Sequence, residues 1–121
     1  MSTTTSNTLD LGALGRAIEG RDAQTQLASY ADDAVIEVVD RDHPPSNPER
    51  IEGTDAVRAY LEDVYGRDMT HSVRHALSDG DRASLWTDCA YADGIRVRCA
   101  CAISLRGGKF VRQDVVQEWD G

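Results

Sequence analysis

Positive charge is what this sequence has least of: 13 lysines and arginines stand against 21 aspartates and glutamates, for a formal net charge of -8. The basic residues are not clustered either, since Arg96, Arg98, Arg106 and Arg112 are spread over strand-like segments. Nucleic acids and acidic membrane surfaces are gripped by concentrated positive charge, so neither is expected as a partner. Long apolar runs are missing too, and nothing approaches the ~18 residues of a membrane span. Met1 to Thr8 is rich in Ser and Thr, with neither a basic start nor an apolar centre. It reads as a frayed tail over residues 1–8 rather than a signal peptide, leaving 9–121 as a single domain with the cytoplasm as the expected compartment.

Cysteine is limited to Cys89, Cys99 and Cys101, with no metal-type spacing and no even disulfide framework. Cys99 and Cys101 lie two apart in a strand-like run, which points both thiols to one face without the geometry of a disulfide. The plain reading is small buried thiols in a reducing compartment. No metal or other cofactor is expected. Hydrophobic content of 40% and charged content of 28% are ordinary for a globular chain, so 121 residues supply one core and not two.

What is present is a helical opening followed by a strand-rich second half. Leu9, Leu11, Leu14 and Ile18 form a helical stripe that ends near Gly20, and a second short helix is predicted from about Ala23 to Tyr30. Asp32 and Asp33 break it, and Val35 to Val39 is β-branched and strand-like. The segment His43-Pro44-Pro45-Ser46-Asn47-Pro48 cannot continue a ladder, because proline lacks the donor. Thr54 is the expected N-cap of an amphipathic helix bearing Val57, Tyr60, Leu61 and Val64, closed by Gly66. Three turn sequences, at Ser78–Asp81, Ala92–Gly94 and Arg106–Lys109, then separate four strands. Helices first and a meander after predict an α+β domain with helices on one face of a bent, mainly antiparallel sheet.

Strand alternation locates a candidate pocket. The apolar face of the last strand carries Val111, Gln113, Val115, Gln117 and Trp119, leaving Phe110, Arg112, Asp114, Val116 and Glu118 on the other. The preceding strand points Val97, Cys99, Cys101, Ile103 and Leu105 inward. The same logic gives His71, Val73, His75 and Leu77, then Ala83, Leu85, Thr87, Cys89 and Tyr91. His71, His75, Thr87, Cys89, Gln113 and Gln117 are therefore the inward polar groups. With Tyr60 and Trp119 they form the expected lining of a mainly apolar pocket for a hydrophobic small molecule.

Either histidine could move a proton while the glutamines orient a carbonyl. Mutual hydrogen bonds or buried water would satisfy the same groups without any chemistry. Asp40 is in phase with Val38 and pairs with His43 either as an acid/base couple at the pocket mouth or as part of a polar loop. His71 and His75 lie about 13 Å apart at ~3.3 Å per residue, too far to grip one ion. A Cys–His nucleophile using Cys89 or Cys99 is possible in principle, with no surrounding signature to support it. On the outward face, Trp86 joins Ala100, Ala102 and Val116 in an apolar patch rimmed by Arg98, Arg112 and Asp114, which predicts a symmetric homodimer through the sheet.

The run YADDAVIEVVD from Tyr30, followed after the Pro-rich break by RIEGTDAVRAYLEDVY from Arg50, resembles the cone-shaped nuclear transport factor 2-like domains. These include the SnoaL-like cyclases and the ketosteroid isomerases. The resemblance implies a curved sheet and helices wrapped around one internal pocket. It also implies where catalytic groups stand in relatives: the isomerase base at Val38, its oxyanion-hole tyrosine at Leu14 and its acidic partner near Cys101, all replaced here. SnoaL-like cyclases and limonene-type epoxide hydrolases place an aspartate in the final strand, where a gap-free match gives Val115 and a shift of one gives Asp114. The hydrolases' Arg-x-Asp pair meets Arg96-Val97-Arg98, which lacks the acid. The scaffold is implied and the chemistry of those relatives is not. An isomerase, cyclase or dehydratase acting through histidine is the leading expectation, with a non-catalytic binding or interaction module as the alternative.

Overall fold

In a computed structural model of the chain, residues 8–120 are described. The expected tail over 1–8 falls outside them except for Thr8. Helix α1 (Leu11–Glu19) starts where the Asp10 side chain accepts a hydrogen bond from the Ala13 amide, and buries Leu14, Ala17 and Ile18. Helix α2 (Ala23–Leu27) is capped in the same way by Asp22 and ends earlier than expected. Tyr30 does not close it but opens strand β1 (Tyr30–Val39), and the Ser29 carbonyl is taken by the Phe110 amide at 2.8 Å. Asp32 and Asp33 fall in an irregular stretch of β1 rather than in a break before it.

A short strand absent from the sequence reading, β2 (Glu49–Glu52), pairs antiparallel with β1 after the proline loop. Arg50 on it forms an ion pair with Glu37 across the ladder at 2.9 Å. Helix α3 (Thr54–Tyr65) follows, capped by Gly53 at φ 88° and not by Thr54, which is its first residue. Only glycine takes that backbone conformation without strain. Strands β3 (Met69–Asp79), β4 (Arg82–Tyr91), β5 (Arg96–Arg106) and β6 (Lys109–Trp119) complete one six-stranded sheet in the order β2-β1-β6-β5-β4-β3. All neighbours are antiparallel except β1 and β6. The result is an α+β domain whose curved, unclosed sheet carries helices on one face and the core between them. Among the described residues no helix is long and apolar enough to cross a membrane.

Burial in β5 alternates without a fault, and Ala83, Leu85, Thr87 and Cys89 of β4 point inward as the pattern predicts. Two register shifts overturn the pattern elsewhere. Between Arg74 and Leu77 of β3 one extra residue is inserted, and His75 sits there with φ 55°. Beyond it the faces exchange: Leu77 pairs with Ser84 and is 69% exposed, and His75 meets Trp86 on the outer face. The second shift, between Ser104 and Leu105, brings Phe110 inward, opposite Leu105, instead of Val111.

Phe110 is 1% exposed and its ring lies 4.6 Å from that of Tyr30. Phe110→Ala is expected to cost about 3–5 kcal/mol, the usual range for an aromatic deleted from a packed core. Urea unfolding checks it: the midpoint falls with little change in slope.

Candidate functional site

The concave side of the sheet and the three helices enclose an inner chamber of about 100 Å³. It adjoins a wider basin of about 530 Å³ on the side of the Asp40–His43 loop. Tyr60, Val64, Arg67, Tyr91, Gln117 and Trp119 line both and so form the neck where the two meet. At that neck the Arg41 guanidinium lies 4.1 Å over the Trp119 ring, which stacks on Tyr91 at 5.8 Å. Arg67 donates to the Tyr91 hydroxyl at 3.0 Å and to Asp63 at 2.7 Å. Trp119 in turn donates its indole N–H to Gln117 at 3.1 Å.

Inside the chamber a chain of polar side chains satisfies itself. Tyr65 donates to Gln26, Gln26 donates to the Tyr30 hydroxyl, and Tyr30 donates to Gln113. The amide of Gln113 ends the chain on the Cys101 sulfur at 3.5 Å. Burial pushes the Tyr30, Tyr60 and Tyr65 hydroxyls above their ordinary range, so all three remain protonated donors.

His71 stands on β3 directly opposite Cys89 on β4, its Nδ1 3.1 Å from the Cys89 sulfur. The residue is 8% exposed, its ring meets Tyr65 edge-on, and its Nε2 is buried with no hydrogen-bond partner. A buried nitrogen left this way costs roughly 1–3 kcal/mol. Bonding to Cys99, helped by His71 and Thr87, holds the Cys89 thiol well below the usual thiol range although burial opposes it. The Cys99 thiol is pushed up, chiefly by the bond to Cys89, and the Cys101 thiol by burial.

The chamber and its neck thus bring together Tyr60, His71, Thr87, Cys89, Gln113, Gln117 and Trp119. His75 is not among them: the β3 bulge puts it on the opposite face of the sheet, 4.9 Å from Trp86. Asp40 lines the outer basin and bonds to His43 Nδ1 at 2.9 Å. Asp40, His43 and Glu49 bring donor atoms within 4.8 Å of one another, with Glu49 exposed. No sequence pattern marks Gln26, Tyr30 and Tyr65 as pocket groups, and only the four-residue spacing of Gln26 from Tyr30 hints at their contact. Tyr65 meets Gln26 across 39 residues of chain, which no local pattern signals.

Positions at which relatives would keep catalytic groups are accounted for. Leu14, Cys101 and Val115 line the chamber and Val38 the basin, none with an acid. Asp114 lies on the outer face, held by Arg112 at 2.8 Å.

Over residues 13–113 the sequence matches the family model described as a SnoaL-like domain. The chain belongs to the SnoaL-like family. An NTF2-like protein of unknown function from Mesorhizobium loti is similar to this SnoaL-like domain, with TM-score 0.76 and 19% identity over 95% of this chain and 90% of that one. A provisionally named ketosteroid isomerase from Kribbella flavida has TM-score 0.74 and 20% identity over 95% and 77%. An LEH-like epoxide hydrolase from M. tuberculosis has TM-score 0.68 and 18% identity over 89% and 79%. At these identities the likeness concerns the fold alone. No curated protein matches the sequence.

At the mouth, the bond to Asp40 raises the His43 pKa although slight desolvation opposes it. Desolvation raises Asp40, but its bonds to His43 and the Asp42 amide outweigh that and lower it. A raised histidine stabilises the fold below its unfolded value and loses that contribution as pH climbs through its folded one; a lowered aspartate does the reverse on the acid side. The pair therefore contributes fully between about pH 4 and 6.5. In an NMR titration His43 should show a midpoint above about 6.5, and Asp40→Asn should lower it toward that ordinary value, with Glu49 and Asp42 still raising it.

Proposed function

We propose that this SnoaL-like domain binds a small neutral hydrophobic molecule and acts on it by acid/base chemistry at His71, as an isomerase, cyclase or dehydratase would. The observation that carries this reading is His71 on the lining of a mainly apolar chamber, with a buried Nε2 that has no partner. A ligand carbonyl or hydroxyl there would relieve the cost of the orphaned nitrogen. Tyr60, kept protonated by burial, adds a hydrogen-bond donor to the same chamber.

Charge argues against an anionic ligand. The outer basin carries Asp40, Asp42, Glu49, Asp63 and Asp93 against Arg41 and Arg67, with the overall charge at -8. Such a mouth repels anions. The size of the inner chamber suits a few heavy atoms, so the reacting end of the ligand would enter it while the remainder occupies the basin. The free thiols fit a reducing compartment, and the cytoplasm is the one proposed.

A non-catalytic binding role is the second reading. It is favoured by the chain from Tyr65 to Gln113, whose polar groups already satisfy one another and leave few hands for chemistry. Native mass spectrometry of protein purified gently from its own source would identify a retained ligand and hence candidate substrates. With such a compound, His71→Asn should lower turnover roughly 10²–10⁴-fold while binding survives. Binding without turnover in the unaltered protein would select the second reading instead.

We further infer a symmetric homodimer through the outer sheet face. Leu77, Trp86 and Val116 are 69%, 41% and 55% exposed there, and Ala100 and Ala102 lie between them. Charges of both signs rim this patch, with Arg74 and Arg98 on Asp88 at one side and Arg112 on Asp114 at the other. A second copy turned about a two-fold axis would meet this patch with its own. Light scattering should give a dimer mass that Trp86→Glu reduces to a monomer; a mutant that remains dimeric places the interface elsewhere.

A further inference from the structure

We propose that Cys89 is a nucleophile that adds reversibly to small, neutral α,β-unsaturated ketones or aldehydes entering the inner chamber. The inference rests on the reading of that chamber as a small-molecule site. Four features of the molecule carry it. Cys89 and His71 face each other as direct cross-strand partners, sulfur to Nδ1 at 3.1 Å, both lining the chamber. Thr87, two residues before Cys89 on β4, and its cross-strand partner Cys99 on β5 line the chamber beside the sulfur. The far nitrogen of the same imidazole is buried and without a partner. Finally, Arg67 is the one charged side chain among the described residues lining the chamber, and it is engaged by Asp63 and Tyr91. An electrophile bearing its own charge would find no counter-ion inside.

The reaction balances without a further reactant. The thiol proton passes to His71 Nδ1, and the sulfur pair forms the C–S bond at the β-carbon of the alkene. The π electrons move through the α-carbon onto the carbonyl oxygen, which accepts a hydrogen bond from the Tyr60 hydroxyl. The imidazolium then returns its proton to the α-carbon. The net change is addition of S–H across C=C. Its reversal restores the alkene, and rotation about the single bond of the adduct permits geometrical isomerisation.

Selectivity follows from the neighbours, since Cys99 and Cys101 remain neutral thiols and only the thiolate attacks. A low-pKa thiol loses some intrinsic nucleophilicity, which offsets part of the gain in ionised fraction.

The test uses the full chain with 2-cyclopentenone at neutral pH, read by intact mass and peptide mapping. One adduct per chain on Cys89 is expected, lost in Cys89→Ser and kept in Cys101→Ser. His71→Asn and His71→Gln, each verified as folded by circular dichroism, should react roughly tenfold more slowly. Labelling spread evenly over the cysteines, or wild-type rates in both His71 variants, would overturn the proposal. Saturated cyclopentanone separates the two readings. If it raises the melting temperature while cyclopentenone leaves Cys89 unmodified, the chamber reading stands and the nucleophile falls. If Cys89 is modified selectively and cyclopentanone neither stabilises nor protects, the nucleophile stands and the chamber reading falls.

Discussion

The contact between Tyr30 and Phe110 joins the two ends of this fold. It lies where β1 enters beside β6, the one parallel pairing in the sheet, so a strand from the first third of the chain must be held against the last. Parallel neighbours cannot be linked by a tight turn, and their association comes from side-chain burial and a ladder closed late. The two rings supply that burial 4.6 Å apart, and the Tyr30 hydroxyl carries the connection onward to Gln113 and Gln26. Without it, α2 and α3 would lose a side-chain tie to the sheet, because Tyr65 at the end of α3 reaches the network through Gln26.

That network also settles the character of the chamber. Polar groups in an apolar cavity must be satisfied or removed. Gln26, Tyr30, Tyr65 and Gln113 satisfy each other, which leaves His71 Nε2 as the buried side-chain atom still lacking a partner among the described residues. The site is therefore narrow in its chemistry: the His71 imidazole with the Cys89 sulfur beside it, and the Tyr60 phenol outside the network, around a volume of about 100 Å³. Val38, Val115 and Cys101, where the resemblance implies carboxylates, bring none, and Asp114 lies on the outer face. Family membership thus accounts for the enclosure and is silent about the reaction.

The two faces of the sheet differ in character, and the β3 bulge assigns His75 and Leu77 to the outer one. A positive φ at a non-glycine residue carries a conformational cost, accepted here where His75 packs against Trp86. The same insertion that withdraws a histidine from the chamber extends the apolar patch outside.

By itself the sequence determined the class of fold, the three hairpin turns and the inward faces of β4 and β5. The reason is local: turn residues set the ends, and a period of two repeats within one strand. It also placed Tyr60, His71, Thr87, Cys89, Gln113, Gln117 and Trp119 on the side where the chamber lies. Only the tertiary structure decided what happens at register shifts, where one added residue exchanges faces and moved His75 out and Phe110 in. It alone revealed β2, whose four residues are too short to signal a strand without β1 beside them. It alone joined His71 to Cys89 and Tyr65 to Gln26, because contacts across 18 and 39 residues depend on how strands and helices are stacked, which no local period encodes.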